Sequence, residues 1–269
     1  MYNKYNITKE QLEKLLLQNL TNRQIAEIIG CGHTNVGYFI KKFGLTELQQ
    51  NYKRQPYKIN KIDSKFKAYF LGFVCCDAAI NQTNSIELSV ELGDKEILDY
   101  FSGEIDCVVN IDKTYDKKTK RFPRARLTKK VTDITAFVGG PLKEKRHLPI
   151  TNKELIKYVL LGAFDADGCL TWGRRKDKNR LWQKVSFTSS LNICLTIQQI
   201  LLKELNISTR IYPKKDSKCF VIDFSNKNDV LKFLDYIYCD NFIVLNRKYL
   251  KAKALRLELE ENGEGRNSE

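Results

Sequence analysis

The chain contains two copies of one segment. AYFLGFVCCDAAI begins at Ala68 and YVLLGAFDADGCL begins at Tyr158. In this register Leu71 pairs with Leu161, Gly72 with Gly162, Asp77 with Asp167 and Ile80 with Leu170. The residues after each copy are also parallel. Strand-like stretches at 85–92 and 183–189 each precede a helical stretch, DKEILDYF or SLNICLTIQQILLKEL. Two more strand-like segments come next in each half, at 107–113 with 121–128 and at 207–214 with 218–225. A last helix closes each, near 129–138 and 226–238. Each half therefore reads αββαββα, and two copies in one chain predict an α+β molecule with a pseudo-twofold axis.

Gly72 and Gly162 stand inside apolar helical stretches, where glycine costs about 1 kcal/mol relative to alanine. Small residues, Cys76 and Ala166, lie four positions on, on the same helix face. That pattern lets two backbones approach closely, and the natural partner of each helix is its own duplicate. Asp77 and Asp167 lie where the apolar runs stop. If the helices pack in parallel, symmetry brings both carboxylates to one end, where they repel unless a cation lies between them. Carboxylates are hard oxygen ligands, and the negative ends of two helix dipoles favour a cation further. One Asp after an apolar helix is ordinarily a turn or cap residue; two at equivalent positions of a repeat weaken that reading. Asp165, whose counterpart is Cys75, reads as a local cap.

Charge points to a polyanion. Lys and Arg number 46 against 32 Asp and Glu, a net charge of +14, and basic side chains displace the counterions condensed on phosphates. The excess gathers in strand regions: nine basic residues against two acidic at 112–130, six against one at 171–184, and four against one at 210–218. Tyr115, Trp172 and Trp182 are interleaved. Such runs are ordinarily solvated hairpins, but recurrence in both halves favours a phosphate-tracking surface. Charge alone also fits an anionic membrane surface or ribosomal RNA; for a nucleic acid the candidate contacts there are Arg124, Arg126, Arg174, Arg175, Lys184 and Lys218.

The eight cysteines form no CxxC pair and there are only two histidines, which argues against a structural zinc site and for reduced intracellular thiols. No signal peptide begins at Met1 and no apolar run approaches the ~18 residues of a membrane span. A soluble intracellular protein is expected, in the cytoplasm of a bacterial or phage-infected cell or in an organelle, with no membrane partner.

The first zone, 1–48, reads as three short helices, with Thr8 and Thr21 as N-caps and Gly30-Cys31-Gly32 as a turn. TNRQIAEIIGCGHTNVGYFIKKFG resembles a helix-turn-helix whose recognition helix, 33–42, exposes Asn35, Lys41 and Lys42; a generic three-helix interaction module is the alternative. The polar, basic stretch 49–63 reads as a linker, 64–150 and 151–255 as the two repeats, and 256–269 as a frayed charged tail.

LLGAFDADG at 160–168 resembles the signature of the LAGLIDADG homing endonucleases, and FLGFVCCDA at 70–78 resembles a divergent copy. The resemblance covers about 66–253. It implies a monomer acting as a pseudo-dimer, with two antiparallel sheets forming a saddle over the DNA major groove. It also implies hydrolysis of both strands of double-stranded DNA with Mg²⁺, for which Mn²⁺ can substitute. Asp77 and Asp167 match the family's metal-binding catalytic position. Aligning PLKEKRHL with VLNRKYLK pairs Leu142 with Leu245 and makes Lys145 and Lys248 the matching catalytic basic residues. Glu91 and Ser189, ending matched strands, are candidates to order solvent. The first copy departs from the pattern in Cys75-Cys76 and in Ala78, which stands where the second copy has Gly168. A glycine there permits a positive φ and close backbone approach to the metal, so a weaker metal site at Ala78, with slow cleavage or nicking of one strand, is expected. An intein would need splice-junction residues at its ends, whereas this chain runs from MYNK to RNSE, so a free-standing enzyme is expected. The alternative is a non-cleaving binder on the same scaffold, an intron maturase or transcription regulator.

Overall fold

The computed structural model describes residues 7–18, 20, 22–46, 48, 56–112, 123–174, 181–240 and 242–264. The chain forms two compact units, Met1–Pro56 and Tyr57–Glu269. In the first, helices α1 (Lys9–Leu17), α2 (Asn22–Ile29) and α3 (His33–Lys42) surround a small core of Leu12, Leu16, Ile25, Val36, Phe39 and Ile40. The Thr8 hydroxyl accepts from the backbone N–H of Gln11 and so caps α1. Gly30 takes a φ of +74° and Gly44 one of +68°, which lets the chain turn after α2 and α3. Thr21 lies outside the described residues.

The second unit opens with β1 (Tyr57–Lys58), and its first repeat runs α4 (Lys65–Asp77), β2 (Ala79–Ile80), β3 (Ser85–Glu91), α5 (Lys95–Ile105), β4 (Val109–Asp112), β5 (Arg124–Thr132) and α6 (Ile134–Val138). The second repeat runs α7 (Ile156–Asp167), β6 (Gly168–Arg174), β7 (Leu181–Ser189), α8 (Leu191–Leu205), β8 (Arg210–Pro213), β9 (Phe220–Phe224) and α9 (Lys227–Ile237). Helix α10 (Asn246–Glu264) comes last. The predicted αββαββα order thus appears twice. Both sheets have one strand order, β2-β3-β5-β4 and β6-β7-β9-β8, with antiparallel pairing throughout these strands.

Alternation along the strands buries one face of each sheet against the helices and leaves the other free of them. In β5, Ala125, Leu127 and Val131 point inward while Arg124, Arg126 and Lys130 point out. One core runs through both repeats, centred on α4 and α7.

Three local expectations fail. Residues 129–132 continue strand β5 instead of opening a helix, because Lys129 and Lys130 pair with Ile86 and Ser85 of β3 and Val131 fills the core. Tyr57 and Lys58, expected in the linker, pair in parallel with Val131 and Thr132, and Ile59 behind them is buried. The charged C-terminal stretch is helical as far as Glu264: Ala252, Leu255 and Leu259 line one buried stripe, invisible in the average composition.

Candidate active site and nucleic-acid interface

Helices α4 and α7 touch along their whole apolar faces because their glycines permit it. A Cβ added to Gly72 would stand 2.1 Å from the carbonyl oxygen of Val159, and one added to Gly162 would stand 2.1 Å from that of Tyr69. The two contacts are the same contact seen from either repeat, since Tyr69 and Val159 are themselves repeat partners. Backbone against backbone at that separation penalises every residue but glycine, since the helices would have to part.

This contact sets the chain ends of both helices, and hence Asp77 and Asp167, side by side. Lys143 and Lys248 both favour the ionised form of each, Lys143 more strongly. Lys143, in the 3₁₀ turn Lys143–Lys145, lies 3.7 Å from Asp167 Oδ2 and favours the ionised form of Asp77 as well. Burial nevertheless pushes both carboxyls above the usual range; Asp167 is raised further by Asp77 and lowered by Lys143 and by the hydroxyl of Ser189, which donates to its Oδ2 at 2.9 Å. Asp77 instead lines a cavity of about 350 Å³ with Glu91, Arg124 and Ser89. The two strand ends thus differ in chemistry, and by register Ser189 corresponds to Val90 and Glu91 to Ser190, so the two are not equivalent.

A buried cation caps each helix. Lys248 Nζ donates to the carbonyls of Phe164, Asp165 and Gly168 at 2.6, 2.9 and 2.6 Å. Arg146 Nη1 donates to Cys75 and Ala78 at 3.3 and 2.7 Å, and its other nitrogens reach Gly140 and Pro141. Cys75 and Ala78 are the repeat partners of Asp165 and Gly168, so the counterpart of Lys248 is Arg146. Lys145, the residue that aligns with Lys248 in sequence, is exposed in the turn beside it. Alignment matches residue types, whereas the fold matches the carbonyls that must be satisfied where a helix ends. Likewise Leu142 is 50% exposed while Leu245 is buried, so those two are not equivalent. Desolvation lowers the pKa of Lys248 to about 8 and also lowers that of Arg146.

Two further expectations are corrected. Asp165 is no local cap: it is buried in the centre of the molecule, where its Oδ2 accepts from the Tyr69 hydroxyl at 2.8 Å and from the backbone N–H of Leu245 at 2.9 Å. Burial raises its pKa to about 6. Nor does Gly168 use a positive φ. Its φ and ψ are −79° and 153°, matching the −72° and 142° of Ala78. The second copy lacks a side chain there for steric reasons: a Cβ would meet the Phe164 ring at 2.3 Å and the Phe164 carbonyl oxygen at 2.5 Å. The first copy has the smaller Val74 at the position of Phe164.

The remaining candidates lie on three surfaces. Arg124 and Arg126 project from the free face of the first sheet, Arg126 paired with Glu87. On the second sheet Lys184 donates to Asp223 at 2.9 Å. Arg174 is bound to Glu258 of α10 at 2.5 Å, and Lys218 is exposed in the turn between β8 and β9. In the N-terminal unit Lys41 and Lys42 are exposed and Asn35 is half-buried; Thr34 and Tyr38 also reach solvent on α3. Arg175 and Tyr115 lie outside the described residues. Sequence reasoning misses Lys143 and Arg146. A clue to Arg146 exists, because a basic residue after the last helix of each half has buried helix ends to satisfy.

Residues 154–238, most of the second repeat, match the family model described as "LAGLIDADG-like domain". The chain carries a LAGLIDADG-like domain. The fold agrees with that. The structure of the LAGLIDADG homing endonuclease I-SmaMI bound to cleaved DNA is similar over 76% of this chain and 91% of that one, with a TM-score of 0.51 and 10% identity. That of the LAGLIDADG meganuclease I-AabMI bound to uncleaved DNA is similar over 74% and 92%, with a TM-score of 0.50 and 12% identity. Identity so low speaks to the LAGLIDADG fold alone. No curated protein matches the chain in sequence. Among the described residues no helix is long and apolar enough to cross a membrane.

Proposed function

We propose that this protein is a site-specific endonuclease that binds double-stranded DNA on the free faces of its two sheets and cleaves both strands with a divalent metal. The observation that carries the reading is the convergence of Asp77 and Asp167 at the adjoining ends of α4 and α7, with Lys143, and more weakly Lys248, acting on both. The donor set fits Mg²⁺ or Mn²⁺: hard carboxylate oxygens, at helix ends that carry partial negative charge. Among the described residues no group of three or more acidic, histidine or cysteine side chains is placed to hold a metal. When bound, the metal supplies Lewis-acid activation of phosphate and water.

The chain's own residues do the rest. Asp77 and Asp167 hold the charge that draws the cation to the scissile phosphates. Ser189 fixes the rotamer of Asp167, and Lys143 offers charge to a phosphate oxygen. Lys248 and Arg146 act as positioning residues: they hold the carbonyls that orient each aspartate, with every nitrogen of contact aimed at the backbone. Arg124, Arg126, Lys184 and Lys218 track the DNA backbone or read base edges. We assign the N-terminal unit to a helix-turn-helix contact through α3, with Lys41 and Lys42 facing phosphates.

The case for a non-cleaving binder rests on Ala78. Its backbone matches that of Gly168, so the substitution leaves Asp77 no worse directed than Asp167, and cleavage of both strands is the reading the geometry favours. A cleavage selection on a randomised duplex library in Mg²⁺, with a Ca²⁺ control, tests it. The expected result is a long, imperfectly palindromic site cut on both strands in Mg²⁺ and bound intact in Ca²⁺; enrichment by binding with no cutting in either ion identifies a binder instead.

A further inference from the structure

Among the described residues, an ion pair joins the two central strands on the free face of each sheet. In the first sheet Arg126 on β5 lies 3.3 Å from Glu87 on β3; in the second, Lys184 on β7 lies 2.9 Å from Asp223 on β9. Both pairs are diagonal in the same sense. Ser89, two residues beyond Glu87, is opposite Arg126, and Ser186, two residues beyond Lys184, is opposite Asp223. Strands β3 and β7 correspond in the repeat, as do β5 and β9, so the same diagonal recurs with its charges exchanged and displaced by two residues: Glu87, opposite Ala79, corresponds to Ser186, opposite Cys169, and Lys184 therefore to Ser85. The acid stands on β3 in one half and on β9 in the other.

A carboxylate on a face that meets phosphates raises the cost of binding unless it contacts something that donates. The major groove offers such a donor. A G·C pair presents the guanine O6 and N7 acceptors beside the cytosine N4 amino group. O6 and N4 bond to each other, so they are about 2.9 Å apart. A cation and a carboxylate held at 2.9 to 3.3 Å match that edge group for group.

The free atoms are the right ones. Arg126 meets Glu87 through Nε, which leaves the terminal nitrogens for a bidentate contact with O6 and N7. Asp223 accepts from Lys184 and from the Tyr212 hydroxyl at Oδ2, which leaves Oδ1 for an amino group. An A·T pair also sets a donor beside an acceptor. Thymine, however, has one acceptor there and places its methyl group against the charges.

Resting on the DNA-binding reading above, we infer that Glu87–Arg126 and Lys184–Asp223 each read one G·C base pair, in opposite orientations with respect to the pseudo-twofold axis. Symmetry alone would put the two guanines on opposite strands. The exchanged charges put both on the same strand, and the two-residue displacement sets the two base pairs at different distances from the axis.

Selection of bound duplexes from a randomised library, with the full chain in Ca²⁺, tests this. One fixed G·C pair in each half-site is expected, with the guanines on one strand. Exchanging the second pair, by Lys184→Glu with Asp223→Arg, should invert the preferred pair in that half-site only. Asp223→Asn, which is milder toward folding, should reduce discrimination at that base pair by about tenfold or more while total DNA affinity persists. A selected site with no fixed G·C pair in one half, with guanines on opposite strands, or with a preference unmoved by Asp223→Asn overturns the inference but leaves DNA binding standing. Failure to enrich any sequence overturns both.

Discussion

Replacing Gly72 by alanine should weaken the molecule at its centre. The new Cβ would stand 2.1 Å from the Val159 carbonyl oxygen and 2.9 Å from its carbon, whereas ordinary van der Waals contact begins near 3.4 Å. The obstacle is backbone, so no rotamer change relieves it, and α4 and α7 must part by roughly 1 Å, forfeiting a quarter to a half of each dispersion contact along the seam. Overpacking of this kind costs about 3 kcal/mol or more. Alanine's better helix propensity returns about 1 kcal/mol. The net loss is about 2 kcal/mol, a fall in Tm of roughly 4–8 °C for a unit of this size.

Gly103 in α5 supplies the control. A Cβ there meets nothing within 4 Å, so Gly103→Ala should stabilise by about 0.5–1 kcal/mol. Urea and thermal unfolding followed by far-UV circular dichroism read both. If Gly72→Ala behaved like Gly103→Ala, the close crossing of α4 and α7 would be refuted, and with it the placement of the two aspartates.

The buried charges and the two-unit organisation have consequences of their own. Asp165 titrates near pH 6 in the folded chain against 3.8 as a free group. The native state therefore holds more protons between about pH 4 and 6, and stability falls as pH rises through that window, by up to about 3 kcal/mol. Asp165→Asn should flatten that slope in urea unfolding; a slope unchanged in the variant would contradict the burial of this carboxyl. Lys248→Met and Arg146→Met each strand carbonyls at a helix end and should cost about 2–4 kcal/mol, while Lys145→Ala, at an exposed position, should stay within about 0.5 kcal/mol. Equal losses at 145 and 146 would restore the alignment-based pairing. Deleting residues 1–50 should weaken DNA affinity more than it slows cutting at saturating protein; unchanged affinity would remove the N-terminal unit from the interface.

Much of the architecture is legible in the residues because the repeat carries its own control: what recurs at both Gly72 and Gly162, and at both Asp77 and Asp167, is hard to assign to chance. The order of strands and helices comes from patterning that each half states independently. The hidden features depend on contacts between distant segments. Asp165 resembles a cap in sequence because its partners, Tyr69 and Leu245, are 96 and 80 residues away in the chain. Arg146 escapes notice because lysine aligns with lysine, and only the carbonyls it meets reveal the one-residue offset. The stripe of Ala252, Leu255 and Leu259 is three residues in a charged stretch, and its burial is decided by the core beneath it. The ion pairs on the sheets, finally, depend on strand register, which a single sequence leaves open.

The two aspartates are the decisive residues of the proposed mechanism. Asp77→Asn and Asp167→Asn, each assayed on a supercoiled plasmid bearing the selected site with Mg²⁺, should abolish linearisation while DNA binding in Ca²⁺ stays within a fewfold of the parent, since neither change removes a positive charge from the interface. Full double-strand cleavage by either variant would contradict the proposed mechanism.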